Sequence, residues 1–190
     1  MLAAMADREF LGGVFRLTMG FIDKQGLRAR VAAEVSEETR KRMDKPPGAL
    51  SWIPSRPLDE LFTAVEKLGG RKAVFDLGVL AGREFGGGIV QPVIKAALAI
   101  FGTSPATLYS HLDRFYPMVT RGYRFGWEPQ GDRAGIIEAR WEGAGVPTAI
   151  FHTTHGNLQY FAEMTKGEVG PPEVVKHDAQ GAVARYRASW

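Results

Sequence analysis

The period of the apolar positions first changes at about residue 122. As far as Phe115 they recur mainly at three- and four-residue spacing, as on one face of a helix, and from Tyr123 alternation in twos appears. Leu27, Val31 and Val35 stand four apart among charged residues and predict a short amphipathic helix after Gly26. Ser36, followed by Glu37 and Glu38, marks another helix start, because a serine oxygen can cap free amides and acids suit the positive end. Phe10 to Ile22 fits strand and helix equally well, and Lys45-Pro46-Pro47-Gly48 is the one linker-like stretch.

Ser55, Pro57, Asp59 and Glu60 have the cap, early proline and first-turn acids of a helix whose apolar face is Leu58, Leu61, Phe62 and Val65. Gly69-Gly70 ends it. A second helix is expected over 71–85, with Val74, Leu77 and Leu80 or Ala81 inward, stopped by Gly86-Gly87-Gly88, and a third over 89–101. Ser104-Pro105 opens a further helix with Leu108, Leu112 and Phe115 as its stripe. Tyr123, Phe125 and Trp127 then alternate with polar residues up to Gln130-Gly131-Asp132, which turns the chain into Ile136 to Trp141. Pro147 opens a helix to about Lys166, and a second hairpin pairs Glu173 to Lys176 with Ala182 to Ala188.

Hairpin, helix, hairpin predicts an α+β fold: a helical N-terminal half packed on a four-stranded antiparallel sheet in the C-terminal half. A length of 190 residues suits a single domain over 1–190, organised as an N-terminal extension with helices (1–48), a helical part (49–121) and the hairpin-helix-hairpin part (122–190). The absence of cysteine removes disulfides, cysteine-based metal sites and thiol nucleophiles. A net charge of +3 with interspersed acids supplies no basic stripe for nucleic acid. Lys95 interrupts the most apolar run, well short of the ~18 residues of a membrane span, and the opening apolar run is too short for a signal core. The expectation is a soluble, cytoplasmic protein.

No catalytic or metal signature stands out. His152 and His155 lie three apart with no acid of the metalloprotease pattern between them, so His155 reads as a core histidine and His152 as exposed. Gly86-Gly87-Gly88 follows a helix and lacks the trailing lysine of a phosphate loop, and the serines lack a nucleophile-elbow setting. Asp59 and Glu60 are accounted for by the helix start. The aromatic residues are more suggestive: Tyr123, Phe125, Trp127, Trp141, Phe151 and Tyr160, with His155, fall where sheet and helix meet, and such rings serve either as core or as the wall of a small-ligand pocket.

Several stretches carry a family resemblance. Phe10-Leu11-Gly12-Gly13-Val14-Phe15, Leu77-Gly78 with Gly82-Arg83, the helix from Leu108 to Gly122 and the closing Val183-Ala184-Arg185-Tyr186 resemble an uncharacterised paralogous family abundant in myxobacteria. The order of elements from Leu58 to Trp190 is similar to the superfamily that joins haem nitric-oxide-binding, vinyl-reductase-type and bet3-like domains. This resemblance implies a regulatory or sensory module with a pocket between helices and sheet, often dimeric or working with signalling partners. In the haem-binding branch a histidine on the helix before the first hairpin ligates iron, and His111 falls near that place, although the Tyr-x-Ser-x-Arg motif that grips the haem is absent. The reading is a non-enzymatic small-molecule-binding or regulatory domain without a cofactor, acting through a protein partner or a homodimer. The alternatives are a haem sensor using His111 and an interaction module without ligand.

Overall fold

The computed structural model describes residues 8–87, 92, 96, 99–100, 102, 104–143, 145–165, 169–170 and 172–190, without the side chains of 85–87. The ambiguous N-terminal stretch is both strand and helix: β1 (Glu9–Leu11) runs straight into α1 (Gly12–Lys24). Only glycine suits this corner, because a Cβ on Gly12 would stand 2.2 Å from the Gly48 carbonyl oxygen. α2 (Arg28–Glu34) buries Val31, and α3 (Glu37–Asp44) starts as predicted, with the Ser36 hydroxyl accepting from the Thr39 amide.

β2 (Trp52–Pro54) leads into α4 (Arg56–Gly87), which breaks at Gly70, where φ is 75°, so the two helices expected on either side of the glycine pair are joined at a kink. The helix continues through Gly87 where Gly86 was expected to stop it. The helix expected over 89–101 lies largely outside the described residues. α5 (Pro105–Ser110) is capped by Ser104, pauses at His111 and resumes as α6 (Leu112–Phe115), followed by one 3-10 turn over Tyr116–Met118.

β3 (Thr120–Arg121) pairs with β1, and β1 with β2, forming a three-stranded antiparallel sheet that local patterning does not announce. β4 (Tyr123–Pro129), β5 (Ala134–Trp141), β6 (Glu173–Asp178) and β7 (Val183–Ser189) form the expected four-stranded antiparallel sheet in the order β4-β5-β7-β6. Its inner face carries buried Tyr123, Ile137, Ala139, Ala184 and Tyr186. Its outer face is charged, with Arg185 reaching Glu128 at 2.7 Å and Arg140 reaching Glu138 at 2.6 Å. A sheet apolar on one side only must bury that side.

α7 (Thr148–Met164) lies against the inner face, tied to it by the Tyr186 hydroxyl, which donates to the Phe151 carbonyl at 2.8 Å. On its other side α7 crosses α4 backbone to backbone. A Cβ on Gly78 would stand 2.1 Å from the Thr153 carbonyl oxygen, and one on Gly156 2.1 Å from that of Phe75. Glycine on both helices therefore sets their separation and locks them into one unit. Among the described residues, no helix is long and apolar enough to cross a membrane.

Candidate functional site

The interior holds a cavity of about 80 Å³ where α1, α4, the end of α6, the start of β4 and α7 converge. Phe10, Val14 and Thr18 close it on one side, and Phe62, Leu77 and Ala81 of α4 on a second. α7 contributes Ile150, Thr153, Thr154, Asn157 and Phe161. Phe115, Tyr116, Val119, Thr120 and Tyr123 complete the wall from the segment between α6 and the sheet. The helical stripe of Leu77 and Ala81, four apart, and that of Ile150, Thr153, Thr154 and Asn157 place these residues on facing surfaces of the locked helix pair.

Two lining residues are unusual. The Tyr116 and Tyr123 rings are 7% and 6% exposed; the Tyr123 hydroxyl accepts from Arg8 and the Trp141 indole, while that of Tyr116 is buried with no partner among the described residues. Burial pushes both phenols up, so they stay protonated donors. Tyr116 packs at 4.1 Å on Phe125, and Tyr123 is wedged between Phe10 at 5.4 Å and Trp141 at 5.9 Å. Most buried polar groups in folded proteins are satisfied, so the Tyr116 hydroxyl is an exception on this wall.

Behind Tyr123 stands a buried ion pair, Arg8 Nη2 to Asp59 Oδ2 at 2.7 Å, with side chains 8% and 12% exposed. The helix-start reading of Asp59 is thus incomplete: its carboxylate points into the interior toward Arg8 and accepts from the Ser55 hydroxyl at 3.2 Å. Desolvation outweighs Arg8 and raises the Asp59 pKa to about 6. Asp59 Oδ1 is buried without a partner among the described residues, beside the Tyr123 hydroxyl that Arg8 and the Trp141 indole approach. Glu60, by contrast, serves local structure, accepting from the Ser36 amide at 2.9 Å.

The residues expected to wall a pocket are dispersed around the cavity, and of the seven Tyr123 lines it. Phe125 backs Tyr116, while Trp141 and Phe151 pack on each other at 5.0 Å and belong to the core. Trp127 is stacked between Tyr109 at 5.7 Å and Trp190 at 6.0 Å. Tyr160 is half-buried and packs over Gly82, where a Cβ would meet its ring carbons, outside the cavity wall. His155 is packed and hydrogen-bonded, its Nε2 meeting the Pro172 carbonyl and its ring stacking on Tyr186 at 5.5 Å.

His152 departs from expectation. Its side chain is only 14% exposed, covered by Glu66 of α4 at 3.3 Å and by the His177 ring at 5.2 Å, because α4 and β6 both lie over that side of α7. Burial and the neighbouring cationic groups push His177 down to about 4, and burial also lowers His152 and His155. Among the described residues, no three histidine or acidic side chains converge as a metal ion would require.

His111 sits at the pause between α5 and α6, outside the cavity wall. Its Nδ1 lies 2.8 Å from the Thr107 carbonyl and 3.1 Å from the Ser110 hydroxyl, which holds the ring against its own helix.

No family model matches the chain, and no curated protein matches it in sequence. Solved structures match it in shape over almost its whole length. An H-NOX protein from K. algicida in the Fe(II) unliganded form is similar with a TM-score of 0.65 at 9% identity, covering 94% of this chain and 95% of that one. The fold is that of H-NOX domains. An H-NOX protein from S. oneidensis in the Fe(II)NO ligation state gives 0.61 at 8% identity, covering 94% and 98%. An oxygen-binding H-NOX domain related to soluble guanylate cyclases gives 0.60 at 13% identity, covering 94% and 93%. The H-NOX likeness fixes the order and packing of the elements, while identities this low leave the chemistry to be argued from the residues of this chain.

Proposed function

We propose that the chain is a non-enzymatic sensor domain that binds a small, largely apolar molecule in the interior cavity and passes occupancy to a protein partner or a second copy of itself. The observation that carries this reading is the largely apolar cavity at the meeting of helices and sheet. The H-NOX fold, whose solved examples include an oxygen-binding domain and a nitric-oxide-ligated protein, supports it.

The mechanism is a population shift. α4 and α7 move as one body because their glycines bring the backbones into contact, whereas the segment from Phe115 to Thr120 reaches the cavity through side chains. A molecule that fits between the two favours one spacing, by no more than its difference in affinity for the two arrangements. An outlet is available at β6, an edge strand with Val174 and Val175 46% and 47% exposed.

A second reading, a haem-binding gas or redox sensor with His111 as axial ligand, is favoured by the named chemistry of the fold neighbours. The residues as packed do not fit that group. The cavity of about 80 Å³ falls well below the ~300–1,000 Å³ of cofactor-sized sites, and His111 is turned to Thr107 outside the wall. Haem titration with absorbance and native mass spectrometry decides between the two. A Soret band that disappears in His111→Ala establishes the haem reading. Retention of a small non-haem mass establishes the first, and a bare chain that neither haem nor small apolar molecules perturb contradicts both.

A further inference from the structure

β6 is read above as the outlet of the domain, and its own residues describe what pairs with it. Of the two edges of the four-stranded sheet, the β4 edge is occupied, since the Phe125 amide donates to the Asp113 carboxylate of α6 at 3.0 Å. The β6 edge is open. Glu173, Val174, Val175 and Lys176 are all exposed, and among the described residues these valines are the one pair of exposed large apolar side chains adjacent in sequence. An open edge strand with an apolar centre is a template for another strand.

The bulge in β6 decides which strand fits. Glu173 stands opposite Arg187 and Lys176 opposite Arg185, both on the charged outer face, whereas Val174 stands opposite the inward Tyr186 and Val175 is the extra residue of the bulge. In a regular strand, residues three apart point to opposite faces. Here the extra residue brings Glu173 and Lys176 to the same face with the valines between them. Read in the opposite direction, acid-Val-Val-base becomes base-Val-Val-acid, so the segment is complementary to itself. Lys176 stands beside Arg185 and holds Asp178 at 3.0 Å in an exposed pair, so a further carboxylate is favourable there. Pro172 has no amide hydrogen and a bulge twists its strand, which confines pairing to these four residues and excludes a long, flat neighbour.

Resting on the reading of β6 as the outlet, we propose that β6 pairs with β6 of a second copy of this chain, antiparallel about a two-fold axis. Glu173 then faces Lys176 of the second copy, and Val174 faces its Val175. Opposite charges meet at both ends of the pairing. An interface this short belongs with weak, transient contacts, and a dissociation constant on the order of 0.1 mM is expected.

The test is sedimentation equilibrium of the full chain from about 10 µM to about 1 mM, at low ionic strength, where exposed ion pairs are least screened. Glu173→Lys and Lys176→Glu, each first shown to be folded by its melting curve, set like charges at both ends and should weaken self-association at least ~tenfold. An equimolar mixture of the two variants restores opposite charges at both ends and should dimerise as the wild-type chain does. A wild-type chain that stays monomeric throughout overturns the proposal, as does a dimer that the single substitutions leave unchanged. Two monomeric variants that stay monomeric when mixed overturn this pairing. The ligand reading fails separately, by the absence of shifts at Val14 and Ile150 on the cavity wall.

Discussion

If the Tyr116 hydroxyl has no partner in the ligand-free chain, deleting it must stabilise the protein. Tyr116→Phe keeps the ring, its 4.1 Å contact with Phe125 and its 6.1 Å contact with Phe161, and removes only the buried oxygen. An unsatisfied buried polar group costs ~1–3 kcal/mol, so the substitution should stabilise by about 1 kcal/mol once a small residual void is allowed for. For a chain of 190 residues, 1 kcal/mol corresponds to a rise in Tm of about 2–4 °C. The control is Tyr186→Phe, whose lost hydroxyl donates to the Phe151 carbonyl at 2.8 Å and whose removal should destabilise by about 1 kcal/mol. Urea unfolding of both variants, with unchanged slope, reads the difference directly. Destabilisation of Tyr116→Phe by as much as Tyr186→Phe would mean that the hydroxyl already has an internal partner and is no exception on the cavity wall.

Three further outcomes follow from the same packing. Gly78→Ala and Gly156→Ala should each cost at least ~2 kcal/mol, because the added methyl meets backbone oxygen at 2.1 Å and the two helices must separate; chemical denaturation measures it, and a cost under about 0.5 kcal/mol would show that the crossing is looser. Arg8→Met leaves Asp59 buried alone and should cost about 3 kcal/mol at pH 8 but less at pH 5, where a carboxyl already raised to about 6 takes up a proton; denaturation curves at the two pH values check the sign. The histidines at the α7–β6 seam have folded pKa values below their unfolded ones, His177 at about 4, so their contribution is complete above about 6.5 and is lost as pH falls toward 4. Asp59 works in the opposite sense between about 6 and 4, so the urea midpoint should fall from pH 7.5 to pH 5 by less in His177→Gln than in the wild-type chain, and equal falls would refute the assignment.

Where the chemistry is local, the sequence is readable. Ser36 and Ser104 mark helix starts because the cap bond closes within three residues, and the hairpin around Gly131 is visible because one strand alternates and the turn needs a positive φ. The three-stranded sheet is not readable in this way: strands of two and three residues show no period, and Phe10 finds its partners at Ile53 and Thr120, far along the chain. The helix expected through Phe115 does bury Leu108, Leu112 and Phe115, but the pause at His111 depends on the ring returning to Thr107. The cavity was legible only in outline. Aromatic residues do gather near the seam, yet which rings face an empty space depends on long-range packing, so Tyr123 was expected on the wall and Tyr116 was not. Asp59 does stand in the first turn of its helix, but its inward pairing is unreadable for the same reason, since Arg8 lies fifty-one residues away.

The central claim is that this interior space binds a small molecule, and methyl-resolved NMR of the full chain under added cyclohexanone tests it most directly. The account predicts saturable shifts that begin at Val14, Leu77, Val119 and Ile150 on the cavity wall and leave the outward-facing Val174 and Val175 unmoved. Shifts confined to Val174 and Val175, or none at any concentration, would contradict it and move the weight to a domain that works through its surface alone.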